Sequence, residues 1–380
     1  MQIAGVIAEY NPFHNGHRYQ LAQIRQMAPK MPIVVAMSGN FLQRGEPACL
    51  DKWTRAKEAI LNGADLVVEI PVAACMQPAD RFAQGGIAVL KALGVSDLFF
   101  GAEHADYAFL DYANKVLTIK GDFKAKNKSY AQMFQEAVTQ AVGHSVDQPN
   151  DLLGLSYAKQ IVKLKAAMNL HPIQRVGAAY HDEHIGNLAQ IASATAVRTA
   201  VLSGNEDQIA AVVPAQTAHD IQAGPFLAWD DFWPYLQYNL INQPIDALGA
   251  IYGMAEGIEY RLKECVLKAE ANSFEQWLKL VKNKRFTYTR LSRLACAILL
   301  HLTPDDVINY QKAPYARVLA FNQKGQEVLH AAKKTEDCRL LAKISQDDRK
   351  KFFLPDYRAG KIYQLQNGHE QDVKRAPLRF

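Results

Sequence analysis

Short apolar runs alternate with amphipathic stretches through the first half of the chain. Residues 3–8, IAGVIA, are an apolar run bounded by Glu9 and Asn11, which predicts a short buried strand. The following NGHRYQLAQIRQMA spaces Tyr19, Leu21, Ile24 and Met27 close to a helical period, which predicts a helix to about Met27. The same alternation predicts strands at 32–37 (PIVVAM), 65–72 (DLVVEIPV), 97–101 (DLFFG) and near 173–179 (IQRVGAA). Helices are predicted at 53–64, stopping near Gly63, and at 79–94, 106–118, 128–142, 151–169 and 193–204. Strands and helices in this order predict an α/β fold with a parallel sheet covered on both faces.

From about residue 206 strand-like runs become rare. Helical periodicity dominates, as in FEQWLKLVKN and RLSRLACAILLHL. SGNEDQ and QAGPF read as linker punctuation within residues 204–225. The expected organisation is one α/β domain at residues 1–205 and a mainly helical C-terminal domain at 206–380.

Composition changes this picture little. The 380 residues suffice for two cores, and 49% hydrophobic with 21% charged residues is ordinary for a globular protein. No apolar run reaches the roughly 18 residues of a membrane helix. The N-terminus lacks a basic segment followed by an apolar stretch and a cleavage site, so a cytoplasmic protein is expected. Cys49, Cys75, Cys265, Cys296 and Cys338 are scattered and unpaired by spacing, which speaks against a disulfide framework or a zinc ribbon. A net charge of +5 permits an anionic partner without requiring one.

Candidate chemistry concentrates where the first strand meets the first helix. His14 and His17 flank Asn15 and Gly16 at that turn. A helix start leaves N–H groups unpaired and carries partial positive charge, so it suits an anion. Two imidazoles three apart share nearly one side of the turn, and Gly16 admits close approach of a ligand. A triphosphate fits this arrangement. Two chance surface histidines and a metal site are the competing readings, and no third ligand is evident nearby. Farther on, IASATAVR (191–198) offers Ser193 and Thr195 at a helix start and Arg198 as a guanidinium for phosphate.

HNGH after a first strand resembles the HIGH-type signature of nucleotidyltransferases and class I aminoacyl-tRNA synthetases. IASATAVR resembles the ISSTxxR-like stretch that accompanies it in nucleotidyltransferases. Longer segments narrow the family: GVIAEYNPFHNGH, MSGNFLQRGEPACLDKWTRAKEAILNGADLVVEIP, FGAEH, PNDLLGLSYAK and RVGAAYHD together resemble the bacterial tRNA(Met) cytidine acetate ligases. The likeness spans the first domain and continues more loosely at RFTYTRLSRLACAILLHL and YARVLAFNQKGQEVL.

This resemblance implies a Rossmann-like nucleotidyltransferase domain. It implies that ATP activates acetate as acetyl-adenylate, releasing pyrophosphate, and that the acetyl group passes to the wobble cytidine of elongator tRNA(Met). The ATP contacts it implies are Ile7, Ala8, Glu9, Tyr10, Asn11, Pro12, Phe13, His14, Asn15, Gly16, His17, Arg18, Tyr19 and Gln20, then Gly101, Asn150, Arg175, Ser193 and Thr195. His14, His17 and Arg198 would be the catalytic groups, aligning two anions and offsetting their charge, with Mg²⁺ on the phosphate oxygens. No protein metal site is expected.

Two further stretches are read from the residues themselves. GNFLQRGEPACLDK carries Gln43, Arg44, Glu46, Asp51 and Lys52 on a loop after the second strand. It either closes over the site or is a solvated loop ending in a helix cap at Asp51. Glu103 and His104 in FGAEH are candidate acid–base groups. KLVKNKRFTYTRLSR (279–293) holds Lys282, Lys284, Arg285, Arg290 and Arg293 with no acid, and interleaves Phe286 and Tyr288. It reads as a tRNA surface with stacking aromatics, or as a solvated basic face with its aromatics in the core. DDRKKFF and VKRAPLRF extend the basic character. Two other functions stay open on the residues alone: an adenylyltransferase of a small phosphate-bearing metabolite, and a non-catalytic RNA-binding protein on the same scaffold.

Overall fold

The computed structural model of the chain describes residues 1–119, 130–175, 191–205, 208–268, 271–332 and 338–380. Its strands are β1 (Ala4–Ala8), β2 (Ile33–Ser38), β3 (Leu66–Ile70), β4 (Asp97–Ala102), β5 (Asn169–Gln174), β6 (Tyr315–Phe321), β7 (Arg339–Leu341) and β8 (Leu378–Arg379). They form one sheet in the order β5-β4-β1-β2-β3-β6-β7, with β8 paired to β6. The pairings among β1 to β5 are parallel, and β6 joins β3 antiparallel.

The helices of the first half are α1 (Asn15–Met27), α2 (Lys52–Leu61), α3 (Val72–Cys75), α4 (Ala79–Ala92), α5 (Phe109–Leu117), α6 (Tyr130–Val142), α7 (Pro149–Lys163) and α8 (Ala194–Leu202). One face of the sheet packs Val6, Leu21, Ile24 and Trp53 under α1 and α2. The other packs Ile87, Leu90, Phe100 and Tyr157 under α4 and α7. Coverage on both faces explains why the central strands read as unbroken apolar runs.

Two expectations need correction. The strand expected near 173–179 lies at Asn169–Gln174, and residues 176–179 fall outside those described. It is an edge strand whose polar residues obscure the pattern: His171 bonds Asp97 at 2.8 Å and stacks on Phe99 at 4.6 Å. The second correction concerns the C-terminal half. Residues 208–312 carry helices and no strand among those described, but Tyr315–Phe321 re-enters the sheet beside β3. The expected division at residue 205 therefore does not bound the sheet.

A buried ionic network fastens this return. Lys52 Nζ donates to Glu69 Oε1 at 2.9 Å and to Asp372 Oδ1 at 2.8 Å, and Arg317 pairs with the same Asp372 oxygen. All four side chains are at most 5% exposed. Trp53 Nε1 donates to Gln371 O at 2.8 Å beside them. Removing one member of such a network strands the others in low dielectric. Asp372→Ala is expected to cost about 3–5 kcal/mol of unfolding free energy. Urea denaturation of the two proteins checks this, and a loss near zero would show that water reaches the two cations.

Candidate active site

Strand order reverses between β1 and β4, since β1 leads to β2 on one side and β4 to β5 on the other. In such sheets the carboxyl ends part at that point and leave a crevice. A cavity of about 250 Å³ opens there, walled by Ile7 and Ala8 of β1 and by Phe100 and Gly101 of β4.

The turn after β1 is built tightly. Tyr10 adopts a left-handed backbone, φ +51°. The Asn11 side-chain oxygen accepts from Cys49 N at 2.7 Å, and its backbone carbonyl accepts from Arg198 at 2.8 Å. Below them lies Arg55, fully buried. It donates to Leu50 O (2.9 Å), Glu9 O (2.5 Å), Ser38 O (3.1 Å) and Gly39 O, so it joins the ends of β1 and β2.

His14 is the N-cap of α1. Its Nδ1 accepts from Gly16 N at 3.0 Å, and His17 Nδ1 accepts from His14 N at 3.2 Å. This is a capping box made of two imidazoles, whose rings stack at 3.7 Å. An Nδ1 that accepts cannot carry the proton of a neutral ring, so the network assigns that proton to Nε2 in both. Burial, then the nearby Arg175 and Arg198, hold His14 down at about 3. Burial, His14 and Arg175 hold His17 well below its ordinary value. Both rings are therefore neutral donors. Without a ligand, the positive charge at the site comes from Arg175 and Arg198, which line the same cavity.

Across the cavity, Ser193 caps α8 by accepting from Ala196 N at 3.0 Å. Arg198, one turn along, also lies 3.8 Å from Glu46. Glu103 accepts from Asn150 Nδ2 at 2.5 Å and from the Asn150 and Asp151 amides at 3.1 Å, while Arg175 Nε approaches it at 3.8 Å. Asp151 returns the clamp by accepting from the Glu103 and His104 amides at 2.9 and 3.1 Å. Glu103 and His104, expected as acid–base candidates, thus secure the start of α7 and lie outside the cavity wall.

The loop after β2 brings Gln43, Arg44 and Glu46 to the cavity. Gly45 bolts it to the helical half: its carbonyl accepts from Trp229 Nε1 at 3.0 Å and Ser292 Oγ at 2.5 Å. Gly45 has φ +82°, and a Cβ there would lie 2.2 Å from Arg293 N, so only glycine fits.

Comparison with known proteins decides what this geometry belongs to. A family described as HIGH Nucleotidyl Transferase matches residues 1–376. The chain is 52% identical to a tRNA(Met) cytidine acetate ligase of Ligilactobacillus salivarius, covering 100% of each. It is 44% identical to the enzyme of that name from Lactiplantibacillus plantarum, covering 100% of this chain and 99% of the relative. The crystal structure of Thermotoga maritima TmcAL bound with alpha-thio ATP superposes with a TM-score of 0.86 at 27% identity, each chain fully covered. The chain belongs to the tRNA(Met) cytidine acetate ligase family.

Most positions that the family resemblance implied for ATP face the one cavity. Ile7, Ala8, Glu9, Tyr10, Asn11, His14, Gly16, His17, Tyr19, Gln20, Gly101, Asn150, Arg175, Ser193 and Thr195 line it, as does the catalytic candidate Arg198. Four do not. Phe13 and Pro12 are buried, Asn15 donates to Ala211 O at 2.9 Å, and Arg18 is exposed on α1. Asp51 caps α2 through Trp53 N at 2.8 Å, and Lys52 belongs to the core network. Sequence reasoning missed the apolar wall of Phe82, Phe100, Leu153 and Tyr157. A signal existed, because Asn150, Leu153 and Tyr157 recur at helical spacing on α7.

The basic stretch divides. Lys282, Lys284 and Arg285 are exposed, Arg290 stands 4.2 Å over the Phe286 ring, and Arg293 is half-buried behind Gly45. Phe286 is 3% exposed, so it belongs to the core and cannot stack on a base. Tyr288 is open, with its hydroxyl donating to Glu275 at 3.0 Å.

The depressed His14 value has a consequence for stability. The unfolded chain takes up this proton near pH 6.5, the folded chain only near 3, so the unfolded state binds more protons in between. Stability should rise with pH through that window and fall as the pH drops. His14→Asn, which keeps a capping side chain, should lose less stability between pH 7 and pH 5 than the wild type in denaturant titrations.

Proposed function

We propose that this chain adenylates acetate with ATP at the His14–His17 corner and passes the acetyl group to the wobble cytidine of elongator tRNA(Met). The observation that carries the reading is the pair of imidazoles capping the start of α1, which line the same cavity as Arg175 and Arg198. Family membership and full-length likeness to a structure bound with an ATP analogue support it.

The chemistry asks little covalent work of the protein. An acetate oxygen attacks the α-phosphorus and pyrophosphate leaves. Backbone N–H groups, imidazole N–H groups and guanidinium donors at fixed positions hold the triphosphate and the charge that develops on it. Asn150, held by Glu103, and Gly101 offer the nucleoside a polar group and bare backbone. In the second step the cytidine amine attacks the mixed anhydride, and the apolar wall keeps water from it. Among the described residues no three His, Cys, Asp or Glu side chains gather to hold a metal ion. Mg²⁺ would therefore be held by the phosphate oxygens and water, and no step here is routed through it. For tRNA, the reading uses the exposed Lys282, Lys284 and Arg285 with Arg290 and Arg293, on the second half of the chain, to track phosphates.

Incubation with ATP, labelled acetate and elongator tRNA(Met), followed by nucleoside analysis, tests the whole. Acetylcytidine at the wobble position is the expected product. Pyrophosphate release that needs a phosphorylated metabolite instead would favour the small-molecule adenylyltransferase. His17→Asn should lower acetyl-adenylate formation by at least ~100-fold, the usual cost of one lost transition-state donor, with tRNA affinity unchanged. Loss of tRNA binding by the folded variant would contradict this assignment. Neutralising Lys284, Arg285 and Arg290 together should weaken tRNA binding and flatten its dependence on salt, by up to about 3 in the slope against log salt concentration. An unchanged slope removes these side chains from the interface.

A further inference from the structure

We propose that Glu9 is the general base that takes the proton from the cytidine amine during acetyl transfer. This rests on the acetate-ligase reading above and adds to it the group that the second step needs.

Position carries the argument. Glu9 lies where β1 ends, in the wall of the cavity. On one side are the phosphate-binding groups, with Arg198 close enough to act on its charge. On the other is the loop of Gln43, Arg44 and Glu46, which Gly45 fastens to the helix Tyr288–Leu300 of the basic surface. An amine arriving from that surface and an acyl group held at the phosphates must meet between the two. Only Glu9 and Glu46 bring carboxylates to the cavity wall among the described residues. Glu46 lies 3.8 Å from Arg198, and of the two it is Glu9 whose carboxylate is oriented by a backbone amide, Gln43 N at 2.7 Å.

Glu9 is also held for the task. Its Oε1 accepts from Gln43 N at 2.7 Å, and its backbone carbonyl is fixed by Arg55. The second carboxyl oxygen has no hydrogen-bond partner among the described residues. The charged and titratable groups that face it are Arg44 and Glu46 from the loop, Arg198 from α8, Tyr157 from α7 and Cys75 from α3. Burial first, and then Glu46, raises its proton affinity above that of an ordinary glutamate. A carboxylate shifted upward is a better base at neutral pH.

The step balances. The N4–C bond forms, the bond from the acetyl carbon to the phosphate oxygen breaks, and AMP leaves with that electron pair. One N4 proton passes to Glu9 and later to water.

Glu9→Gln keeps the oxygen that accepts from Gln43, so the loop should hold. Two half-reactions are measured: acetate-dependent exchange of pyrophosphate into ATP, and transfer from preformed acetyl-adenylate to tRNA(Met) in a single turnover. Because Glu9 also lines the ATP cavity, exchange is read at saturating ATP, where it should fall far less than transfer and so report a folded, ATP-competent site. Transfer should fall by about 100-fold or more, the usual contribution of a general base. The acidic limb of the transfer rate against pH should vanish in Glu9→Gln and return in Glu9→Asp. Transfer at the wild-type rate in Glu9→Gln overturns the proposal, as does an equal loss of exchange and transfer. A wild-type enzyme that exchanges pyrophosphate and never acetylates tRNA overturns the acetate-ligase reading, and this proposal with it.

Discussion

The Arg55 guanidinium ties the site together. It is fully buried and, among the described residues, has no carboxylate within hydrogen-bond reach; its donors are spent on four backbone carbonyls. Those carbonyls come from the end of β1, the end of β2 and the approach to α2. Strand ends at a switch point leave carbonyls without ladder partners, and burying them unsatisfied would be costly. Water could serve them only by entering the corner. A planar cation on a buried helix serves all four and keeps the corner dry. The turn that aims Glu9, Asn11 and His14 depends on this packing.

Above that knot, electrostatics is divided between two kinds of group. The imidazoles serve twice: each Nδ1 caps α1, and each ring also lines the cavity. The same burial that makes the cap rigid keeps the rings uncharged. An imidazolium pair stacked at 3.7 Å would repel itself before any ligand arrived. The permanent charge is left to the guanidinium groups of Arg175 and Arg198. Each arginine is near a carboxylate, Glu103 or Glu46, at 3.8 Å. Both contacts are long enough to be exchanged for phosphate without breaking a tight bidentate pair.

The sequence made the phosphate corner legible because its parts are local. An apolar run, a polar turn and a helix start lie within twenty residues, and each obeys a rule of spacing. The parts that were not legible depend on contacts far along the chain. Lys52 reads as part of a polar loop, and Arg55 falls unmarked within the helix predicted at 53–64, but their partners are Glu69, Asp372 and carbonyls of three segments. For Phe286 the basic run leaves two readings, a stacking aromatic or a core side chain, and only tertiary packing decides for the core. Strand β5 was hidden because an edge needs only one good face. Strand β6 was hidden because it returns to the sheet after a long, mainly helical stretch, a pairing that no local period announces.

That return changes what a domain boundary can mean here. The cavity wall includes Arg44 and Glu46, and the residue between them is fixed by Trp229 and Ser292 from the helical half. The helical half is in turn closed by a strand in the first sheet and by a tail whose Asp372 anchors Lys52. The fastening is too tight to loosen cheaply, because Gly45 leaves no room for a methyl group against the Arg293 backbone. A ligand that grips the helix Tyr288–Leu300 therefore presses on the same short loop that flanks Glu9. The loop that flanks Glu9 and the helix Tyr288–Leu300 thus share one close-packed contact at Gly45.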